Sequence, residues 1–90
     1  MIGELFAAIK DRQQSSPERS YTASLFAKGE DEILKKIGEE SVEVILAAKA
    51  QGNDRLIEEI SDLTYHVLVL LASRGLTPAD IVAELEKRKK

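Results

Sequence analysis

Two long stretches of helical periodicity are joined by the tetrapeptide QGND, residues 51–54. This spacing constrains the fold more than any other feature, because so short a connection makes its two helices fold back antiparallel as a hairpin. The first stretch is predicted from about Glu30 to Gln51, with Gly52 as its stop. Asn53 then offers an N-cap for a helix from about Asp54 to Ser73, which ends before Gly75. Nothing alternates with period two over a useful length, and no strand-like run of β-branched and aromatic residues sits between turns. The predicted class is all-α.

Shorter helices flank the hairpin. Ile2–Gln14 has Leu5, Phe6 and Ile9 at helical spacing and stops in QQSSP. Ser16 before Pro17, or Ser20 before YTASLFAKG, caps a short second helix that Gly29 closes at C′. A last helix over about Pro78–Lys89 has Thr77 as N-cap, Pro78 at its first position and Asp80 in its first turn. Low-complexity segments and internal repeats are absent, so residues 1–90 read as one small domain.

Composition narrows the classes. The chain has no cysteine, which excludes disulfides, thiolate metal sites and a cysteine nucleophile. The start, MIGELFAAIKDRQQ, lacks the basic-then-apolar pattern of a secretory leader. The longest apolar run, Val67–Ala72, falls far short of the ~20 residues a membrane span needs. A soluble, cytoplasmic protein without a membrane partner is therefore expected. The net charge of −3, with no basic patch interleaved with aromatics, argues against nucleic acid as a partner. The terminal EKRKK reads as cations opposing a helix dipole.

The acids of the hairpin raise the functional question. On the third helix Ile33, Leu34, Ile37, Val44, Ile45 and Ala48 form an apolar stripe centred near Ile37. At 100° per residue, Glu40 falls about 60° to one side of that centre, Lys36 about 100°, Glu43 about 120° and Glu39 about 160°. On the fourth, Leu56, Ile57, Ile60, Leu63, Thr64, Val67 and Leu71 centre near Ile60. Glu59, His66 and Asp62 share one flank there, at about 100°, 120° and 160°. Both helices thus carry acids bordering their packing face, and the hairpin sets them side by side. Like charges at a partly dry surface are costly unless a cation neutralises them. Hard oxygen donors suit Mg2+ or Mn2+. A second reading stays open on geometry alone: the chain is 32% charged, and Lys36 with Glu40 forms an ordinary i, i+4 pair. A di-iron carboxylate bundle is excluded, since it needs two Glu-x-x-His motifs and His66 is the only histidine.

Val42 and Leu46 on the third helix, and Tyr65 and Val69 on the fourth, lie away from the main stripes. Helices apolar on more than one face are buried on more than one face. A homodimer is expected, in which two hairpins build a four-helix-bundle core.

Glu39-Glu40-x-x-Glu43, fifteen further residues, then Glu59-x-x-Asp62 resembles the EExxE…ExxD signature of the MazG-like all-α nucleoside triphosphate pyrophosphohydrolases. SYTASLFAKGEDEILKKIGEESVEV and EEISDLTYHVLVLLASRGLTPADIVAELEKR narrow the resemblance to the phosphoribosyl-ATP pyrophosphohydrolase family, over about Ser20 to Arg88. The resemblance implies a Mg2+-dependent helical dimer of histidine biosynthesis. It would hydrolyse the α–β phosphoanhydride of phosphoribosyl-ATP to phosphoribosyl-AMP and pyrophosphate. Some relatives are fused to the following cyclohydrolase; this chain has no room for that domain.

Carried over position by position, the resemblance makes Glu39, Glu40, Glu43, Glu59 and Asp62 the metal-binding set. One of the five carboxylates, with Glu39 and Glu43 the leading candidates, would instead serve as general base toward the attacking water. Lys36, Lys28, Tyr21, Thr22 and His66 are the candidate substrate contacts. For each a plainer role competes: Lys36 as a screen for the acids, Thr22 as a cap, His66 as a hydrogen-bonding structural residue. Arg74 reads as a helix C-terminal cation. Two rival functions share these features. One is a house-cleaning pyrophosphohydrolase for noncanonical or deoxynucleoside triphosphates, and the other is a non-catalytic dimerisation module with surface acids.

Overall fold

A computed structural model describes residues 1–89. The elements run α1 (Ile2–Gln13), a 3-10 turn (Pro17–Arg19), α2 (Tyr21–Lys28), α3 (Glu30–Ala50), α4 (Gly52–Ser73) and α5 (Pro78–Arg88), with no strand among the described residues. The predicted antiparallel pairing of the two long helices is present: α3 and α4 form the dominant contact of the molecule. No single helix among the described residues is long and apolar enough to cross a membrane.

Local chemistry explains most boundaries. Ser20 caps α2, its Oγ accepting from the Ala23 N–H at 2.9 Å, whereas Ser16 precedes only the 3-10 turn. Thr77 N–H donates to the Asp80 carboxylate at 2.8 Å, which closes the start of α5. Gly75, at φ +70°, ends α4 in a Schellman motif: Leu76 N–H bonds Leu71 C=O at 2.8 Å and Gly75 N–H bonds Ala72 C=O at 3.1 Å. Gly52, at φ +84°, makes the hairpin turn, where an L side chain would be strained. Asn53 does not cap α4 as expected. The helix starts two residues earlier, at Gly52, and Gln51 stands at its N-cap without a side-chain bond.

The core sits at one end of the hairpin. Phe6 and Ile9 of α1, Leu25 of α2, Ile33 of α3 and Leu68, Val69, Leu71 and Ala72 of α4 form it. Arg74 and Glu30 pair across that end, with Arg74 Nη2 and Glu30 Oε2 2.9 Å apart, so Arg74 ties the tail of α4 to the head of α3. Toward the QGND turn the hairpin stands alone, because α1 and α2 reach only its other half.

This geometry corrects the predicted packing faces. The stripe centred on Ile60 is not the inward face of α4: Ile57 is 64% exposed and Ile60 45%, whereas Val69, expected on the outer face, is fully buried. Tyr65 is likewise half-buried against the core. On α3, Ala47 rather than Ala48 enters the seam, and Leu34 and Ile45 stay exposed with Val42 and Leu46. The radius of gyration, 14.3 Å, exceeds the about 12 Å expected of a compact domain of this length. Both facts have one cause: two bare helices bury one face against each other and leave the opposite faces open.

Leu25, 1% exposed, lies where all four core helices meet. Leu25→Ala should cost about 2–5 kcal/mol in urea unfolding, the range for a buried leucine with its cavity.

Candidate metal centre

The middle of the seam, on its turn-ward side, is where α3 and α4 bring their acids together. Glu40 on α3 and Glu59 and Asp62 on α4 each present a carboxylate oxygen, and the three lie within 4.8 Å of one another. They open onto a cleft of about 510 Å³ that Glu39, Glu43 and Arg55 also line. All five acids of the signature therefore share one cleft, three converging and two on its walls.

Burial is uneven across this set. Glu59 is 3% exposed, Glu40 half-buried and Asp62 exposed. The α4 face that packs on α3 includes Glu59, which explains why a residue placed at the flank of the predicted stripe is buried. Burial pushes its carboxyl above the usual range; Arg55 pulls it back, and Asp62 and Glu40 push it further up. Arg55 Nη2 meets the Glu59 carboxylate at 2.9 Å, and its Nη1 meets Glu58 at 2.9 Å. Buried polar side-chain atoms of the described residues all have partners.

Hard, anionic oxygens in this number suit a divalent cation such as Mg2+, which needs only one or two protein carboxylates plus water and phosphate. Glu40, Glu59 and Asp62 are the residues that would hold it.

The remaining sequence candidates divide. Lys36 Nζ is 3.5 Å from Glu39 Oε1, one residue short of the expected Glu40 pairing. Tyr21, half exposed, has its hydroxyl 2.8 Å from His66 Nε2. His66 Nδ1 lies 2.8 Å from the Asp62 backbone carbonyl. A carbonyl only accepts, so Nδ1 carries the proton and Nε2 accepts from the Tyr21 O–H. Burial raises the Tyr21 phenol, with Lys36 opposing and Glu40, Glu32 and Glu39 adding to it. Thr22 is buried and its hydroxyl bonds that of Tyr65. Tyr21 and Thr22 thus clasp α2 onto consecutive residues of α4, close to the acids but not in the cleft wall. Lys28 is exposed at the end of α2, also outside the cleft lining.

Arg55 is the site residue that reading by motif missed. Its signal was present in the sequence as the i, i+4 spacing to Glu59, which on a helix face puts the two side chains in contact.

Comparison with known proteins agrees with this geometry. The family model described as phosphoribosyl-ATP pyrophosphohydrolase matches residues 2–89. The chain is 55% identical over 89 residues to a phosphoribosyl-ATP pyrophosphatase of Pelotomaculum thermopropionicum, covering 99% of this chain and 91% of that protein. It is 48% identical over 90 residues to the protein of that name from Saccharolobus solfataricus, covering 100% and 96%. A Clostridium botulinum protein of the same name is 53% identical over 89 residues, covering 99% of this chain and 81% of its own length. Matched over nearly all its length at such identities, the chain belongs to the phosphoribosyl-ATP pyrophosphohydrolase family of hydrolases.

Proposed function

We propose that this protein hydrolyses the α–β phosphoanhydride of phosphoribosyl-ATP, releasing phosphoribosyl-AMP and pyrophosphate, as the second step of histidine biosynthesis in the cytoplasm. The observation that carries the reading is the convergence of Glu40, Glu59 and Asp62 within 4.8 Å, in a chain of this family. A dimerisation module has no need to gather like charges at a half-dry seam.

Glu40, Glu59 and Asp62 hold the ion, Mg2+ with Mn2+ as a substitute. Bound there, it supplies charge neutralisation on the phosphate oxygens and a more acidic attacking water. Glu39 and Glu43, on the cleft wall, are placed to take the proton from that water, one of them as general base. Glu59 is poorly suited to that task, since its carboxylate is shielded by Arg55 and the seam. Lys36 at the rim meets phosphate oxygens. Tyr21, its proton committed to His66, offers only lone pairs outward, which suits a ribose hydroxyl better than a phosphate. His66 and Thr22 act by holding Tyr21 and α2 in place.

The working form is a homodimer joined through the open faces of the hairpin. Support comes from the exposed apolar side chains that both hairpin helices carry, Val42 and Ile45 on α3 and Ile57 and Ile60 on α4. An apolar groove of about 420 Å³ between α4 and α5, lined by Leu63, Val67, Leu71, Ile81 and Val82, adds further exposed apolar surface.

The deciding assay is pyrophosphate release from phosphoribosyl-ATP, ATP and deoxynucleoside triphosphates, with Mg2+ or chelator. Release from phosphoribosyl-ATP alone, abolished by chelator, is expected; release only from deoxynucleotides would favour the house-cleaning rival. Glu40→Ala should lower the rate by more than the about 10–100-fold that loss of an outer partner costs a metal site. A stability prediction follows from Glu59, whose carboxyl is raised by burial. Such a group stabilises the fold fully below the ordinary carboxylate pKa and loses that contribution as pH rises through its folded value. Glu59→Gln should therefore raise the melting temperature of the metal-free protein at neutral pH, with the gain vanishing in acid, while abolishing the stabilisation that Mg2+ gives the wild type.

A further inference from the structure

Among the described residues, Arg55 is the one cation lining the acidic cleft. Its side chain is 51% exposed, yet Nη2 reaches inward to a Glu59 carboxylate whose side chain is 4% exposed. A carboxylate so buried is costly without opposite charge beside it, and in this structure the guanidinium supplies that charge. Glu59 is also one of the three acids whose oxygens converge. A divalent ion held by Glu40, Glu59 and Asp62 would bring a second cation to the carboxylate that Arg55 already neutralises.

We propose that Arg55 is a resident counter-cation: it pairs with Glu59 and holds it in place when no metal is bound, yields that carboxylate to the metal, and then grips the substrate's polyphosphate. This role rests on the function proposed above. Two features support the hand-over. Arg55 sits at i relative to Glu58 at i+3 and Glu59 at i+4, both at 2.9 Å, so it can keep Glu58 as an anchor while releasing Glu59. The other residues lining the cleft are carboxylates, so an entering polyphosphate that has passed Lys36 at the rim finds positive charge inside only at the metal and at this planar fork, whose paired N–H donors match phosphate oxygens.

The two halves of the role predict effects of opposite sign in Arg55→Gln, whereas a helix-surface ion pair predicts no such split. Mn2+ binding without nucleotide, read as loss of the free-ion EPR signal at mildly alkaline pH, should tighten about two- to fivefold, the worth of an exposed ion pair no longer competing. The KM for phosphoribosyl-ATP should rise at least about tenfold, the loss of a charge-assisted hydrogen bond, with a smaller change in kcat. Unchanged or weakened Mn2+ binding, or an unchanged KM, would overturn the inference. If wild type binds Mn2+, Glu40→Ala does not, and Arg55→Gln matches wild type, the Arg55 role fails while the functional reading stands. If neither wild type nor Arg55→Gln takes up Mn2+, the Arg55 role fails, and pyrophosphate release from phosphoribosyl-ATP separately decides the functional reading.

Discussion

The buried carboxylate of Glu59 is the constraint around which the hairpin is arranged. An acid at a helix–helix seam destabilises the pair unless opposite charge comes to it, and here two neighbouring acids make matters worse. The fold tolerates this because the apolar core lies elsewhere, at the far end of α3 and α4, where α1 and α2 close over Phe6, Ile9, Leu25 and Val69. Stability and charge concentration are thus separated along one pair of helices. A site that is uncomfortable when empty and relieved by a cation is what a metal-dependent enzyme requires, at the usual expense in stability.

The polar clasp between α2 and α4 connects the two ends. Tyr21 with His66, and Thr22 with Tyr65, join two residues of a short helix to two of a long one. His66 in turn bonds the backbone of Asp62, an acid of the cluster. The segments SYT and DLTYH therefore belong together physically: each supplies half of a hydrogen-bonded joint that fixes α2 beside the cleft. In the Tyr21–His66 half of this joint the Asp62 carbonyl, which only accepts, fixes the proton on Nδ1, so the Tyr21 hydroxyl donates to Nε2.

Much of this was legible in the sequence, for reasons that are local. Glycine positions, Ser20, Thr77 and the 3.6-residue period report on single turns, and the acids recur at spacings that only a hairpin brings together. The inward face of α4 was not legible. Its residues are apolar around most of the helix, so periodicity centred the stripe on Ile60, whereas neighbours in three dimensions select Val69 and Ala72 and draw Glu59 inward. The same exposed Ile57 and Ile60 that defeat a single-chain reading are what association would bury. Arg55 was hidden differently: amid Asp54, Glu58 and Glu59 it reads as one more solvated helix pair, and only the burial of Glu59 gives it significance.

The central claim is that α3 and α4 together form one divalent-metal centre at their seam. Anomalous diffraction from crystals grown with Mn2+ tests it most directly. The account predicts an anomalous peak bonded by oxygens of Glu40, Glu59 and Asp62. A protein saturated with Mn2+ that shows no peak between those carboxylates, or binds the ion on another surface, would contradict it.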